Sequence, residues 1–122
     1  MFADFKDLLG QTIVRIDYLQ VDSSHVVFHC RDGTKFFLYH VQDCCEAVYI
    51  ADIVGNAADL LNSPITMADE VVDANYHDPR NESLGSYTWT FYKLATIKGY
   101  VDIRWLGESN GYYSEHVYFA RE

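Results

Sequence analysis

The chain has 122 residues, enough for one domain with its own hydrophobic core. Eighteen acidic residues against nine basic ones give a net charge of −9, which disfavours direct binding to nucleic acid. No apolar run approaches the roughly 20 residues of a membrane span, and the first residues lack the pattern of a signal peptide. The three cysteines are not the even set of a secreted disulfide framework, so we expect a cytoplasmic protein.

The first third of the chain predicts a short helix followed by a β-meander. Apolar residues at positions 2, 5, 8 and 9 recur at helical spacing, and Gly10 follows as a C-terminal stop. From residue 12 the apolar period changes to two, which predicts strands near 12–18, 25–30 and 35–40. The segment Arg31-Asp32-Gly33-Thr34 is a strong hairpin turn between the second and third of these strands.

The middle third is acidic, and its elements are harder to assign. Residues 41–85 contain nine acidic residues and only one basic residue, Arg80. The β-rich sequence of 48–50 favours a strand over 45–50, and residues 65–72 predict another. Between them, residues 56–62 predict a short central helix, with Asn56 as its cap and Pro64 beyond its end. Residues 73–85 are expected to form a mobile loop.

Three strand-like runs in the last third, 86–96, 99–106 and 112–119, give the clearest signal. Alternation along them divides their side chains between two faces of an antiparallel sheet. The buried face is expected to hold Trp89, Phe91, Val101, Ile103, Trp105, Val117 and Phe119. The opposite face is expected to hold Thr88, Thr90, Tyr92, Tyr100, Asp102, Arg104, Ser114, His116 and Tyr118. An error of one residue in register would exchange the two faces of a strand.

Together these patterns predict an α+β fold in a single domain spanning residues 1–122. Its main part is an antiparallel β-sheet of six to eight strands, accompanied by one short N-terminal helix and one short central helix.

Three stretches are distinctive: Tyr39-His-Val-Gln-Asp-Cys-Cys-Glu46, Tyr87-Thr-Trp-Thr-Phe-Tyr-Lys93 and Ile103-Arg-Trp-Leu-Gly-Glu-Ser-Asn-Gly-Tyr-Tyr-Ser114. On these motifs the chain resembles, over about residues 10–119, a family of small uncharacterised proteins of tailed bacteriophages and prophages. The resemblance implies a phage accessory gene that acts in the cytoplasm of a bacterial host, where such proteins often counter host defence. It implies no activity, cofactor or catalytic residue.

The segment 40–46 places a base, thiols and carboxylates close together in sequence. A thiolate of Cys44 or Cys45, activated by His40, could attack an acyl or phosphoryl centre. No oxyanion-hole pattern accompanies the segment, and in an extended chain the two cysteines would point to opposite faces. Small buried side chains, with Asp43 stabilising a turn, are therefore the preferred interpretation.

A metal site in this region is disfavoured. Adjacent cysteines seldom reach one tetrahedral zinc ion, even where His25 and His29 could add ligands from one side of a strand. We expect neither a metal nor a cofactor.

Arg104 is the residue most suited to contact a ligand on the polar face of the predicted sheet. It would lie there among Tyr92, Tyr100, His116 and Tyr118. A guanidinium among aromatic rings suits planar or phosphate-bearing ligands, through stacking and bidentate hydrogen bonds. One alternative is a cross-strand arrangement that only stabilises the sheet. Another is a second subunit that covers this face in a homo-oligomer.

The loop Gly107–Gly111 offers a second binding surface. Its glycines can adopt positive φ, and Ser109 and Asn110 supply polar groups. Tyr112 and Tyr113 could stack beside a ligand held there. The alternative interpretation is an ordinary hairpin connection.

The residues favour a non-enzymatic protein that acts by binding, and the resemblance implies that it is a phage accessory protein that sequesters a nucleotide-like signal of the host. A second hypothesis is that the acidic segment 41–85 mimics DNA and occupies the basic surface of a host nuclease or another DNA-binding protein. A third is a small hydrolase that depends on Cys44 or Cys45 together with His40. None of the three requires contact with a membrane or direct binding of nucleic acid.

Overall fold

The computed structural model describes residues 1–73 and 85–122, and in these residues the chain forms two antiparallel sheets. Sheet 1 has the strand order β1-β2-β3-β8, and sheet 2 has the order β4-β7-β6-β5. The strands are β1 (Ile13–Asp17), β2 (His25–Cys30), β3 (Lys35–Tyr39), β4 (Ala47–Val54), β5 (Met67–Asp73), β6 (Ser86–Thr96), β7 (Gly99–Ser109) and β8 (Tyr118–Arg121).

Sheet 1 is built on the predicted hairpin between β2 and β3. Gly33 has a φ of +90°, a conformation that L side chains rarely adopt, and the Asp32 carboxylate accepts a hydrogen bond from the Thr34 amide at 2.9 Å. The last strand, β8, pairs with β3 and covers Tyr118–Arg121, whereas the sequence predicted a strand over 112–119. The predicted first residue, 112, is wrong, because residues 109–116 instead form hydrogen bonds with one another through their side chains and backbone amides.

Sheet 2 is centred on the long hairpin of β6 and β7, which pair from Ser86 opposite Ser109 to Thr96 opposite Gly99. β4 pairs with the free side of β7, and β5 pairs with the free side of β6. The strand β7 runs through Gly107 and Glu108 to Ser109, so the predicted loop at 107–111 begins three residues later than expected.

Both sheets contribute to one hydrophobic core between their inner faces. Phe28 and Leu38 enter it from sheet 1, and Ile103 and Trp105 enter it from sheet 2. The prediction that β7 buries Val101, Ile103 and Trp105, together with Val117 and Phe119 near the end of the chain, is confirmed.

The predicted faces of β6 are wrong by one residue. Trp89 pairs with Leu106 and Phe91 pairs with Arg104, so both aromatic rings lie on the outer face of sheet 2. Tyr92 and Thr90 instead share the inner face with Trp105. Four consecutive residues of β6, 89–92, are buried, so hydrophobic alternation gave no signal for which set points inward.

Both predicted helices are wrong, although the predicted cap at Asn56 is right. The structure has one turn of 3₁₀ helix at Phe5–Leu8, capped by Asp4, and another at Ala57–Leu60, capped by Asn56. The N-terminal helix does not extend to Phe2, because Phe2 forms a β-bridge with Ala120. The described residues therefore form an antiparallel β fold with eight strands and without α-helices.

Most of the segment predicted as a mobile loop, 73–85, lies outside the described residues. Asp73 is the last residue of β5, and Gly85 precedes β6. Among the helices of the part that is described, none has the length and apolar character needed to cross a bilayer.

Candidate functional site

Two of the distinctive sequence motifs meet at one end of sheet 2. Segment 40–46 connects β3 to β4, and segment 107–116 contains the end of β7 and the turns after it. The two segments are joined where Ala47 pairs with Glu108, and where the His40 ring nitrogen Nδ1 donates to the carbonyl oxygen of His116 at 2.6 Å. We call segments 40–46 and 107–116 together the loop junction.

The Glu46 carboxylate is the centre of the first segment. Its side chain is fully buried and accepts hydrogen bonds from the backbone amides of Cys44 at 2.9 Å and Asp43 at 2.8 Å, and from His40 Nε2 at 2.7 Å. The Cys44 amide and the His40 ring are the main causes that lower the pKa of Glu46 from 4.5 to about 2. Glu46 is therefore ionised and organises the segment around its charge.

His40 is occupied on both ring nitrogens. Nδ1 faces a carbonyl oxygen and Nε2 faces the Glu46 carboxylate, and both partners are hydrogen-bond acceptors. With both nitrogens engaged by these partners, neither is available to take a proton from a thiol. The side chain is only 2% exposed. The geometry therefore gives His40 a structural role, tying the two segments together, rather than that of a base for a thiol.

The adjacent Cys44 and Cys45 are joined by a disulfide with an S–S distance of 2.11 Å. Both residues are exposed, so the expectation that they are small buried side chains is wrong. The reason is that the buried position of this segment is taken by Glu46. The third cysteine, Cys30, is buried in the core, and this burial raises the pKa of its thiol to about 11.

Glu115 organises the second segment. Its carboxylate accepts hydrogen bonds from the Thr88 hydroxyl at 2.7 Å and from the Ser109 hydroxyl at 2.5 Å. A Cβ atom at Gly107 would lie 2.7 Å from the Cβ and the carbonyl oxygen of Glu115, so this close approach requires glycine. The backbone amides of Gly111 and Tyr112 donate to the side chains of Ser109 and Asn110, which fixes the turn.

Two cavities flank the segment 107–116, with Tyr113 lining both. One has a volume of about 300 Å³ and is lined by Val72, Ser86, Thr88, Thr90, Gly111, Tyr113, Ser114, Glu115 and His116. The other has a volume of about 260 Å³ and is lined by Cys45, Ala47, Gly85, Glu108, Ser109, Asn110 and Tyr113. Among these described lining residues there is no Lys or Arg. The first cavity is rich in hydroxyl groups, and we call it the hydroxyl cavity.

The structure brings together the predicted loop residues but not the predicted Arg104 site. Ser109, Asn110 and Tyr113 line the cavities, and the ring of Tyr112 lies 5.0 Å from that of Tyr113 and is 83% exposed.

Arg104 lies on the outer face of sheet 2, where its Nε donates to Asp102 at 3.0 Å and its guanidinium lies 5.6 Å from the centroid of the Phe91 ring. Tyr100 shares that face and is exposed. Tyr92 is fully buried on the inner face, and this burial raises the pKa of its hydroxyl. The predicted grouping of Tyr92 with Arg104 is therefore wrong, because β6 has the other register.

His116 lines the hydroxyl cavity and also contacts Tyr118, which belongs to a different surface. Their rings lie 4.7 Å apart, and Tyr118 stands beside Tyr39 on the outer face of sheet 1. The predicted set of ligand residues is thus divided among the loop junction, the inner face of sheet 2 and the outer faces of both sheets.

The histidines considered as metal ligands also lie on sheet 1. The Nε2 atom of His29 lies 2.8 Å from the Asp17 carboxylate, and this hydrogen bond is the main cause that lowers the pKa of Asp17. The ring of His25 lies 4.5 Å from that of Tyr18. Across residues 1–73 and 85–122, no group of three His, Cys, Asp or Glu residues is placed to hold a metal ion.

Sequence reasoning missed Glu115 and undervalued Glu46. The predicted strand over 112–119 gives Glu115 no special role. Gly107 is an unusual residue inside β7, and it is a signal that another segment approaches β7 closely at this position. Glu46 was included in the motif only as one of several acidic groups.

The fold and the loop junction define a small two-sheet antiparallel β domain with polar cavities at one end of sheet 2. Residues 6–119 match a family described as a domain of unknown function (DUF7448), and the chain belongs to that family. No curated protein and no solved structure matches the chain.

Proposed function

We propose that the protein acts by binding, as a phage accessory protein that sequesters a nucleotide-like signal of the host. The phage context rests on the resemblance of the sequence motifs. The observation that carries the binding proposal is the hydroxyl cavity beside Glu115. Its volume of about 300 Å³ lies at the lower limit of small-molecule sites, which span roughly 300–1,000 Å³.

The lining groups favour the base and sugar of such a ligand over its phosphate. Glu115 already accepts two hydroxyl donors, and its remaining lone pairs can accept from a ribose hydroxyl or an exocyclic amine. Tyr113 and His116 supply planar rings for stacking. Because the described lining contains carboxylate but no Lys or Arg, we expect the phosphate to remain in solvent.

The positions of the distinctive motifs support a rigid site. The buried pair of His40 and Glu46 fixes segment 40–46, and His40 then holds the carbonyl of His116. A site held in its binding geometry before the ligand arrives loses less conformational entropy on binding. Residues 40–46 therefore do not line the hydroxyl cavity but lie beside it, where His40 holds the neighbouring segment 107–116 in place.

The proposal is tested by calorimetric titration with adenosine and with adenosine monophosphate. We expect both to bind with affinities within about threefold of each other, because the phosphate makes no strong contact. Glu115→Gln should weaken both by roughly tenfold, since a hydrogen bond to a charged group is lost. Gly107→Ala should weaken both further, because the added Cβ displaces residue 115.

An exposed carboxylate away from the cavities provides the matched control. Asp22→Asn removes the same charge without touching the hydroxyl cavity or its neighbours, and it should leave both affinities unchanged. Absence of binding of both probes, or equal losses in Glu115→Gln and Asp22→Asn, would overturn the proposed site.

The two alternative hypotheses make different predictions. Two carboxylates of the acidic segment 41–85 are already occupied within the protein: Glu46 is buried, and Asp69 forms an ion pair with Lys6 at 2.7 Å. A DNA mimic would bind a basic protein with an affinity that falls steeply as salt increases. A hydrolase that depends on Cys44 or Cys45 would lose activity after reduction and alkylation of the thiols.

A further inference from the structure

The outer face of sheet 1 carries a row of aromatic rings that the proposed function does not use. Tyr39 on β3 stands directly between His25 on β2 and Tyr118 on β8. The Tyr118 ring also stacks on Phe2, with ring centroids 5.5 Å apart. Phe2 is 68% exposed, so the row ends in solvent. Rings on a pleated surface present flat faces against which another planar group can stack.

A gap interrupts the neighbouring row. Phe37 on β3 stands between Val27 on β2 and Ala120 on β8. Cross-strand neighbours lie about 5 Å apart, so the small side chain of Ala120 leaves open space beside the Phe37 and Tyr39 rings. The space is a cavity of about 400 Å³ lined by Met1, His25, Phe37, Tyr39, Ala120, Arg121 and Glu122. We call it the aromatic slot.

Two of the lining side chains can bind a negative charge. Arg121 lines the slot, and within residues 1–73 and 85–122 its guanidinium forms no ion pair. His25 lines the slot from β2 and offers a ring nitrogen as a further donor. Arginine combines stacking with bidentate recognition of carboxylate or phosphate oxygens, which matches an aromatic ring bearing an anionic group.

The net charge of the chain does not prevent an anion from reaching the slot. Residues 13–39 and 118–122, which contain sheet 1 and the Glu122 that lines the slot, hold four basic and four acidic residues. The excess of negative charge therefore lies elsewhere in the sequence. At physiological salt, charges farther away than about 8 Å are largely screened.

We propose that the aromatic slot on sheet 1 is a second binding site, which takes a planar aromatic anion. The ring enters between Phe37 and Tyr39 above Ala120, and the anionic group faces Arg121 and His25. The site does not depend on the hydroxyl cavity, since the two lie on different sheets and share no lining residue.

Naphthoate, a planar aromatic carboxylate, is a suitable probe for titration into isotope-labelled protein observed by NMR. We expect nuclear Overhauser effects from the naphthoate ring to the side chains of Phe37 and Tyr39. Two analogues separate the contributions: naphthamide keeps the rings without the charge, and cyclohexanecarboxylate keeps the charge without the rings. Each should bind at least roughly tenfold more weakly than naphthoate.

Two variants test the residues. Arg121→Gln should weaken naphthoate to the affinity of naphthamide and leave naphthamide unaffected. Ala120→Leu should fill the slot and abolish binding of both. Lys35→Gln is the matched control, because Lys35 is an exposed cation on β3 that does not line the slot, and it should leave the affinity for naphthoate unchanged.

The proposal is overturned if cyclohexanecarboxylate binds as tightly as naphthoate, or if Lys35→Gln and Arg121→Gln have equal effects. It is also overturned if Overhauser contacts fall on Tyr113 rather than on Phe37 and Tyr39. Because Ala120 is nearly buried, the fold of Ala120→Leu is verified by the backbone NMR spectrum. If that variant is unfolded, the Arg121→Gln result and the Overhauser contacts decide the matter.

Discussion

The two sheets share one core on their inner faces, but the segments that form them differ in charge and their outer faces differ in burial. Residues 13–39 and 118–121 of sheet 1 hold four basic and three acidic residues, whereas residues 47–73 and 86–109 of sheet 2 hold three basic and seven acidic residues. On sheet 2 the outer face carries a second hydrophobic cluster, in which Trp89 is only 1% exposed. On sheet 1 the outer aromatic rings are half-buried or exposed.

This difference separates two uses of aromatic residues in one small domain. On sheet 2, Trp89, Phe91 and Leu106 contribute buried apolar area on the outer side of the sheet. On sheet 1, Phe37, Tyr39 and Tyr118 remain in contact with solvent and can be covered by a ligand. Aromatic content alone therefore does not identify a binding face, and burial is needed to separate the two uses.

The strongest test of the shared core is Trp105→Ala. Trp105 is fully buried between the sheets, and its removal should lower the free energy of unfolding by about 3–5 kcal/mol. Tyr112→Ala, at an exposed turn, should change it by about 0.5 kcal/mol or less. Urea denaturation followed by circular dichroism measures both. Similar values for the two variants would contradict the division between core and surface.

The contrast between the outer faces is tested by Leu106→Ala on sheet 2 and Val27→Ala on sheet 1. Leu106 is buried in the second cluster, so its truncation should cost about 2–5 kcal/mol of stability. Val27 is half-buried on the outer face of sheet 1, and its truncation should cost about 0.5–1 kcal/mol. If Val27→Ala were the more damaging of the two in thermal unfolding, the roles of the outer faces would be reversed.

The loop junction predicts a pH dependence of stability that comes from the buried carboxylate of Glu46. The folded state lowers the pKa of Glu46 from 4.5 to about 2, so its contribution to stability is complete above pH 4.5 and is lost as the pH falls through about 2. Glu46→Gln should lower the urea midpoint near neutral pH, because the His40 ring and the amides of Asp43 and Cys44 lose a charged hydrogen-bond acceptor. The difference from the unmodified protein should shrink as the pH approaches 2.

Asp43→Asn is the matched control for that measurement, since it removes an exposed carboxylate from the same segment and keeps the backbone amide that Glu46 binds. It should leave the midpoint and its pH dependence nearly unchanged. A pH-independent difference for Glu46→Gln would show that its charge is not the stabilising feature.

The smallest expected effect concerns the exposed ion pair of Lys6 with Asp69, which ties the first 3₁₀ turn to β5. Lysine and aspartate side chains that are 62% and 44% exposed are strongly screened, so a double-mutant cycle with Lys6→Gln and Asp69→Asn should give about 0.2–1 kcal/mol. A coupling well above that range would mean that this edge of sheet 2 is better shielded than its exposure indicates.

The sequence predicted the strands better than it predicted their faces. The hairpin of β2 and β3 was readable because its buried residues alternate and the Asp32-Gly33 turn has defined chemistry. The faces of β6 were not readable, because Trp89 and Tyr92 are both buried although they lie on opposite faces. A strand that is buried on both sides has no period-two pattern to set its register.

The predictions of the helices and of the ligand site are wrong for related reasons, because both features depend on contacts between residues that are distant in sequence. Phe5 and Leu8 are buried as the spacing requires, but one 3₁₀ turn is sufficient to place both side chains in the core. The ligand residues were grouped by a single predicted sheet, whereas the chain forms two. Tyr118 therefore pairs with Tyr39, and Arg104 pairs with Phe91, through contacts that span long distances in sequence.

The pairing of β8 with β3 has a consequence for how the chain reaches its native state. Phe36 lies opposite Arg121, and Phe2 bridges to Ala120, so sheet 1 joins the two ends of the sequence. Proteins dominated by such distant pairings have high contact order and fold slowly, in milliseconds to seconds. During synthesis, the edge of β3 would stay without its partner until residues 118–121 leave the ribosome, and a chaperone could protect it for that interval.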